Sequence, residues 1–246
     1  MVDTINETNM LKRIQKEILS YADPKKAIIL QKFFKTGKGG YGEGDRFLGI
    51  TVPTQRSIAK KYKDIPLSDI SKLMSGAFHE HRLIALLILI EQSKRANEEA
   101  RKLLVNFYLK NTNHIDNWDL VDLSAHQIVG KYLLKKDKKI LYKLAKSKNI
   151  WERRIAIISC FEFIKAQLFN DTLKIAEILL YDKHDLIQKA VGWMLREIGK
   201  RDQNQEEIFL KKYYLKMPRT MLRYAIERFP EEKRQAFLKG RVKANE

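Results

Sequence analysis

The segment Arg82-Leu-Ile-Ala85 is the first of five similar segments, each of which places an alanine inside a run with helical periodicity. The other four are Asp122-Leu-Ser-Ala125, Arg153-Arg-Ile-Ala156, Ile187-Gln-Lys-Ala190 and Leu222-Arg-Tyr-Ala225. Successive alanines are 31 to 40 residues apart, and a period in the thirties with two helices per unit is typical of an α-solenoid. The sequence therefore predicts an all-α fold, a curved solenoid of helical hairpin repeats, in a single domain over residues 1–246.

One segment, residues 36–52, interrupts the helical pattern, and five of the eleven glycines lie within its residues 37–44. It lacks the Gly-Lys-Ser/Thr ending of a phosphate-binding loop and no strand precedes it, which argues against a nucleotide site. Its basic and aromatic residues, Lys35, Lys38, Tyr41 and Arg46, suit close contact with a nucleic-acid backbone. A mobile surface loop is an equally good interpretation of this segment alone.

The charge balance indicates an anionic partner. Forty-eight Lys and Arg against thirty Asp and Glu give a formal net charge of +18, and the chain repels itself unless a polyanion relieves that repulsion. Candidates are DNA, RNA and an acidic membrane surface, and a basic surface that simply faces solvent is the alternative. Residues 131–148 carry eight lysines against one acid, but their apolar positions are needed for packing, which favours phosphate contact over membrane binding.

The location of the protein is expected to be cytoplasmic. The single cysteine, Cys160, excludes an internal disulfide and lies in an apolar run that suits a buried, inert thiol. Residues 1–7 lack the basic and apolar regions of a signal peptide, and the longest apolar stretch, 83–90, is too short to cross a membrane. We therefore expect no membrane association.

Each of the three tryptophans precedes a charged residue by one helical turn. The pairs are Trp118 with Asp122, Trp151 with Arg154, and Trp193 with Arg196. At these spacings an indole and its charged partner share one helix face. All three pairs lie near a repeat alanine and hence near the expected inner surface of the solenoid. An indole in the core beside a salt bridge is the ordinary interpretation of any single pair.

The densest group of carboxylates is Asp116-Asn-Trp-Asp-Leu-Val-Asp122. Asp116 is placed as an N-cap, and His126 follows Asp122 by four residues, so a metal site with Asp119, Asp122 and His126 is conceivable. The spacing matches no known metal motif, and we expect no metal and no cofactor. In a basic, aromatic-lined cleft, a carboxylate can instead orient water or stabilise the cation that forms on a sugar when a base leaves.

Five motifs in order resemble those of the bacterial DNA alkylation-repair glycosylases of the AlkD type, which are built from HEAT-like repeats. They are Phe47-Leu-Gly-Ile50 with Pro53, Trp118-Asp-Leu-Val-Asp122, Trp151-Glu-Arg-Arg-Ile-Ala-Ile157, Lys189-Ala-Val-Gly-Trp-Met-Leu-Arg196 and Arg223-Tyr-Ala-Ile226. The resemblance spans roughly residues 20–230. The sequence departs from the family at Asn117, where a second tryptophan is frequent, and by one residue in the spacing from Tyr41 to Phe47.

The resemblance implies excision of cationic alkylated purines, such as 3-methyladenine and 7-methylguanine, from duplex DNA by a cytoplasmic protein that associates with the nucleoid when bound to DNA. It implies that Asp122 is the catalytic carboxylate and that Trp118 and Trp193 contact the deoxyribose of the lesion. It also implies that Arg154 and Arg196 hold phosphates. The remaining candidate DNA contacts are Tyr41, Lys38 and Arg223.

The sequence leaves two further hypotheses open beside the glycosylase. The first is a non-catalytic protein that binds damaged or branched nucleic acid on the same fold, which would not require a carboxylate among phosphate contacts. The second is a protein-binding scaffold, a common role of α-solenoids, which the net charge of +18 and the tryptophan–arginine pairs disfavour. Nothing in the sequence indicates an obligate oligomer, and we expect a monomer.

Overall fold

The computed structural model describes residues 2–243, with side chains from Met10 onward, and its regular structure in that range is entirely helical. The α-helices are α1 (Val2–Ser20), α2 (Pro24–Phe33), α3 (Val52–Lys61), α4 (Leu67–Met74), α5 (His79–Arg95), α6 (Glu98–Lys110), α7 (Trp118–Ala125), α8 (Lys131–Leu133), α9 (Lys139–Leu144), α10 (Ile150–Ser159), α11 (Phe161–Lys165), α12 (Asn170–Ile178), α13 (Asp185–Gly199), α14 (Gln203–Tyr213), α15 (Arg219–Ala225) and α16 (Glu231–Leu238). Short 3-10 turns lie at Thr112–His114 and Ile226–Arg228, and one turn of π-helix, His126–Gly130, connects α7 to α8.

The prediction of an all-α fold of helical repeats is confirmed. All five repeat alanines, Ala85, Ala125, Ala156, Ala190 and Ala225, are fully buried, each within a different helix. Their small side chains therefore allow neighbouring helices to approach closely.

By their internal contacts the residues form two compact units, the first ending at Leu120 and the second beginning at Val121. In the first unit α5 packs against α3 and α4, and every residue of α5 from His79 to Ile90 is buried. In the second unit α13 packs against α10, α12, α14 and α15. The single domain over 1–246 stays a prediction, and its ends, Met1 and residues 244–246, lie outside the described residues.

The predicted non-helical segment is present between α2 and α3, and its second half is anchored by one buried carboxylate. Glu80 accepts hydrogen bonds from the backbone N–H groups of Leu48, Gly49 and Ile50, at 2.8, 2.8 and 3.2 Å. Gly49 has a φ of +86°, and a β-carbon there would collide with the carbonyl oxygen of Asp23. The sequence Phe47-Leu-Gly-Ile50 is therefore fixed against α2 and α5, in contrast to the mobile loop considered from sequence.

In the second unit, the close packing of α13 against α15 depends on Gly192. A β-carbon on Gly192 of α13 would collide with the carbonyl oxygen of Met221 at the start of α15. The Lys189-Ala-Val-Gly-Trp193 motif therefore has a packing reason for its glycine, since only a residue without a side chain lets the two helices come this close.

Two expectations about chemistry and membranes can be compared with the structure. Cys160 is fully buried, as predicted, and burial raises the pKa of its thiol to about 12, which leaves it in the unreactive form. Among the described residues, no helix is both long enough and apolar enough to cross a membrane.

Candidate active site and nucleic-acid interface

Helix α7 carries three of the residues singled out from sequence and begins with a local cap. The carboxamide oxygen of Asn117 accepts a hydrogen bond from the backbone N–H of Trp118 at 2.8 Å, and Asn117 is fully buried. The prediction that Asp116 caps this helix is wrong. Its carboxylate instead lies 3.2 Å from the guanidinium of Arg82, because that buried cation requires a nearby anion.

The Asp122 carboxylate is held by one buried arginine. Both of its oxygens accept hydrogen bonds from the guanidinium of Arg154 at 2.8 Å, in a two-pronged geometry. Arg154 also donates to the carbonyl oxygen of Leu186. The Arg154 side chain is 6% exposed and that of Asp122 is 15% exposed, so the aspartate is the more accessible partner of the pair.

This placement bears on the role of Arg154. The family resemblance implies that it holds a phosphate, but its guanidinium is already bonded to Asp122 and Leu186. A phosphate contact would require the side chain to leave both partners. The phosphate contact stays a prediction, and the geometry supports a different role for Arg154, that of fixing the orientation of the Asp122 carboxylate.

Trp118 lies on an aromatic surface in the first unit, together with Tyr41 from the glycine-rich loop. The indole N–H of Trp118 donates to the Tyr41 hydroxyl at 3.1 Å, and that hydroxyl donates to the backbone carbonyl of Phe33 at 3.3 Å. The Trp118 ring stacks on Phe34 with centroids 5.3 Å apart. Trp118 and Tyr41 both remain half-buried, and the contact of each with DNA stays a prediction.

Behind this surface lies a buried histidine that the sequence analysis missed. The two ring nitrogens of His79 bond to the carboxylates of Asp45 and Asp119, each at 2.8 Å. The imidazole stacks on Phe47 with centroids 4.4 Å apart, and Phe47 stacks in turn on Phe34. The sequence contained one signal, the polar run His79-Glu-His-Arg82 at the start of an apolar helix, where polar residues must find buried partners.

The protonation state of His79 follows from these partners. Burial alone would lower the pKa of the imidazole, but the hydrogen bonds and negative charges of Asp119 and Asp45 raise it to about 9. Arg82 also donates to Asp45, at 2.6 Å. At neutral pH, His79 is therefore a buried cation that donates hydrogen bonds to two carboxylates. One of them belongs to Asp119, which directly follows Trp118 and is held in place by this bond.

The tryptophans of the second unit have different surroundings. Trp151 is buried in the core, which matches the ordinary interpretation of such a residue. Trp193 is half-buried on α13, its indole N–H donates to Glu197 at 3.3 Å, and its ring lies 6.1 Å from that of Phe161. Trp193 is therefore partly accessible to solvent, and its contact with the lesion stays a prediction.

The other predicted DNA contacts differ in how accessible they are. Lys38, in the glycine-rich loop, and Arg223, on α15, are exposed to solvent. Arg196 is largely buried and pairs with the exposed carboxylate of Glu227, so phosphate contact would require it to exchange partners. Lys38 and Arg223 are thus the freest of the predicted cationic contacts to meet a backbone.

The metal site considered from sequence has no support. His126 lies in the π-helical turn, and its Nδ1 bonds to the Glu162 carboxylate at 2.7 Å. Within residues 2–243, side chains of the described part form no group of three or more His, Cys, Asp or Glu suited to a metal ion.

Comparison with known proteins gives a consistent result. The family model described as DNA alkylation repair enzyme matches residues 14–229. A solved structure described as a predicted DNA alkylation repair enzyme from Enterococcus faecalis has the same fold, with a TM-score of 0.67 and 17% sequence identity, over 85% of this chain and 97% of that one. No protein with curated annotation matches the sequence significantly. Since the family model covers most of its length, the chain belongs to the family of DNA alkylation repair enzymes.

Proposed function

We propose that this protein is a DNA glycosylase of base-excision repair that removes cationic alkylated purines, such as 3-methyladenine and 7-methylguanine, from duplex DNA in the cytoplasm. The observation that carries the proposal is Asp122, whose side chain is 15% exposed and whose carboxylate is held in place by the buried guanidinium of Arg154. It lies one helical turn after the half-buried indole of Trp118, on the same helix.

The reaction requires little acid catalysis. A purine alkylated at N3 or N7 carries a positive charge, so it leaves as a neutral base with both electrons of the glycosidic bond. The deoxyribose is left as an oxocarbenium-like cation, water adds to C1′ and loses a proton, and an abasic site remains. In this scheme Asp122 stabilises the sugar cation and orients the water.

The remaining residues have binding roles in the proposal. The indole faces of Trp118 and Trp193 contact the deoxyribose, where a π-face also favours the developing positive charge. Arg154 keeps the Asp122 carboxylate in one orientation. Lys38, Arg223, Arg196 and Tyr41 contact the DNA backbone, which the net charge of +18 attracts over a long range.

One observation favours a second candidate, a non-catalytic DNA-binding protein. The Asp122–Arg154 pair satisfies both side chains without any substrate, as a purely structural ion pair would. On that hypothesis Asp122 has no chemical task, and the carboxylate serves only to hold α7 to α10.

The test compares the wild-type protein with Asp122→Asn on duplex DNA that contains 7-methylguanine or 3-methyladenine. We expect the wild type to release the alkylated base and the variant to lose at least about a hundredfold in single-turnover rate, because an amide cannot stabilise the cation. The affinity for DNA should be kept or raised, since a negative charge near phosphates is removed.

The two candidates give opposite results in this assay. Absence of base release by the wild type on both substrates would contradict the glycosylase and leave the binding protein. Release by the wild type at an unchanged rate in Asp122→Asn would instead remove Asp122 from the chemistry.

A further inference from the structure

One carboxylate near the end of helix α13 is bonded to the indole of Trp193. Glu197 lies four residues after Trp193, so the two side chains share one face of the helix. The indole N–H donates to Oε1 of Glu197 at 3.3 Å, and Glu197 is buried. Two cations just beyond the helix hold this carboxylate, since Lys200 donates to Oε1 and Arg201 donates to Oε2 at 3.1 Å.

The helix itself does not account for a carboxylate at position 197. The last turn of an α-helix favours cations, because the negative end of the helix dipole lies there, and Glu197 is two residues from the end of α13. Burial alone would raise the pKa of Glu197, but hydrogen bonds from Lys200 and Arg201 lower it below the ordinary value of 4.5. A buried, ionised carboxylate in an unfavourable turn indicates a specific role, and one of its partners is the indole of Trp193.

The arginine that holds Glu197 also holds a second neighbour of the indole, the ring of Phe161. The rings of Phe161 and Trp193 have centroids 6.1 Å apart and planes inclined by 38°. The guanidinium of Arg201 lies 5.9 Å from the centroid of Phe161 while it bonds to Glu197. Arg201 therefore links two of the groups that contact Trp193, one at the indole N–H and one at the ring.

The tryptophan of the first unit has an equivalent restraint. The indole N–H of Trp118 donates to the Tyr41 hydroxyl at 3.1 Å, as that of Trp193 donates to Glu197. A tryptophan ring has broad preferences about its second side-chain torsion, so an acceptor for its N–H restricts the ring to fewer orientations. Both tryptophans proposed to contact the deoxyribose therefore have a polar partner that limits how the ring can turn.

We propose that Glu197 is a positioning residue for base excision, which orients the indole of Trp193 against the deoxyribose of the alkylated nucleotide. Its carboxylate holds the indole N–H before DNA binds, so that the face of the ring meets the sugar as positive charge develops there. This rests on the proposed function, in which Trp193 contacts that sugar. Glu197 itself does not touch the substrate and transfers no proton.

The first experiment measures single-turnover release of 7-methylguanine from duplex DNA at saturating protein, and affinity for a duplex with a stable abasic-site analogue. Glu197→Met removes the acceptor at similar volume and should lower the release rate about tenfold, because a misoriented ring loses contact with the transition state. The affinity should be kept or raised, since the change frees two cations. Glu197→Gln retains an oxygen that can accept the indole N–H and should regain most of the rate.

The second experiment observes the indole directly, through the indole N–H resonances of the three tryptophans in a heteronuclear NMR spectrum. Trp193→Phe identifies the resonance of Trp193 by its loss. This resonance should shift in Glu197→Met, because its hydrogen-bond acceptor is gone, and stay near the wild-type position in Glu197→Gln. The resonance of Trp151, which lies in the core, should remain in place in both variants.

A matched control lies in the first unit. Glu17 also accepts from an aromatic donor and a lysine, the Tyr62 hydroxyl at 2.7 Å and the Lys61 ammonium at 2.6 Å. Glu17→Met loses a comparable set of bonds and should release the base at the wild-type rate. Circular dichroism and the thermal midpoint show whether each variant is folded. If Glu197→Met does not fold, Glu197→Asp withdraws the carboxylate from the indole while keeping the charge, and the same loss of rate is expected.

Three outcomes would overturn the proposal. The first is an unchanged release rate in folded Glu197→Met. The second is an equal loss in Glu197→Gln and Glu197→Met, which would assign the effect to the ion pairs with Lys200 and Arg201. The third is a Trp193 resonance that does not move in Glu197→Met. If the wild type releases no base, the proposed function fails, whereas the Trp193 resonance still shows whether Glu197 holds the ring.

Discussion

Helix α7 carries two carboxylates that are equally buried but held by different cations. Asp119, in the first unit, is 12% exposed and pairs with the imidazole of His79. Asp122, in the second unit, is 15% exposed and pairs with the guanidinium of Arg154. A guanidinium keeps its charge at any accessible pH, whereas an imidazolium loses it. The cation that pairs with Asp122 therefore keeps its charge as the pH rises, whereas the cation that pairs with Asp119 does not.

The two ion pairs have different surroundings, and these indicate a different role for each pair. His79 lies beneath Phe47 and Phe34, so the Asp119 pair is part of the layer that carries Trp118. Arg154 bonds to both oxygens of Asp122, which lies outside that aromatic layer. We therefore interpret the first pair as a support for the aromatic surface and the second as a carboxylate held ready for a substrate.

The largest effect on stability is expected at the arginine. Arg154→Ala removes the guanidinium that bonds to both oxygens of the mostly buried Asp122 carboxylate and to the Leu186 carbonyl, so the free energy of unfolding should fall by about 3 to 5 kcal/mol. Urea denaturation measures this. Arg154→Lys, which keeps the charge but not the two-pronged geometry, should lose less. A loss below about 1 kcal/mol in Arg154→Ala would show that the pair is not formed in solution.

The histidine pair should make stability depend on pH. The folded pKa of His79, about 9, lies above the ordinary value of 6.5. Its contribution is therefore fully present below about pH 6.5 and is lost as the pH rises through about 9. Since one pKa unit corresponds to about 1.4 kcal/mol, the loss should be about 3 kcal/mol. Urea titrations across this range should show the decline in the wild type and a much smaller one in His79→Gln.

The second unit has its own pH-sensitive group, which serves as a comparison. Burial and the nearby Glu207 charge raise the pKa of Glu206 from 4.5 to about 8. Between about pH 4.5 and pH 8 the Glu206 carboxyl is protonated in the folded state but ionised in the unfolded state. The free energy of unfolding therefore falls as the pH rises through this range. In Glu206→Gln the free energy of unfolding should change little between about pH 4.5 and pH 8, while the decline due to His79 at higher pH should remain. Identical profiles for Glu206→Gln and the wild type would contradict the assignment.

The smallest effect is expected at two residues with left-handed backbone, one in each unit. Lys35 has a φ of 52° and Gln167 a φ of 58°, a conformation in which a side chain is strained and glycine is not. Lys35→Gly and Gln167→Gly should each stabilise the protein, by at most about 1 kcal/mol, because the relief of strain exceeds the entropy that glycine loses. Thermal denaturation measures the effect. A lower unfolding midpoint in either variant would contradict the expected relief of backbone strain.

The fold was predictable because it depends on local periodicity and small residues. The repeat alanines were recognisable from their spacing, and each is fully buried. The glycine-rich segment was recognisable from composition. Its anchoring by Glu80 was not, because that contact joins residues about thirty positions apart and no short motif records it.

The candidate site was predictable in its residue types but not in its pairings. Spacing along a helix suggested that Arg154 acts with Trp151, whereas its guanidinium instead crosses to Asp122 on another helix. The same limit applies to Asp116, whose partner is Arg82 rather than its own helix. Helical spacing predicts which residues share a face, but a buried charge is satisfied by whichever opposite charge the packing brings near it.

The central claim is that Asp122, and not Asp119, acts on the substrate. The most direct measurement is the single-turnover release of 7-methylguanine from duplex DNA by the wild type, Asp119→Asn and Asp122→Asn, each at saturating protein and at a pH near 7. We predict a loss of at least about a hundredfold for Asp122→Asn and of less than about tenfold for Asp119→Asn, which retains a hydrogen-bonding partner for His79. Equal losses in the two variants, or none in Asp122→Asn, would contradict the claim.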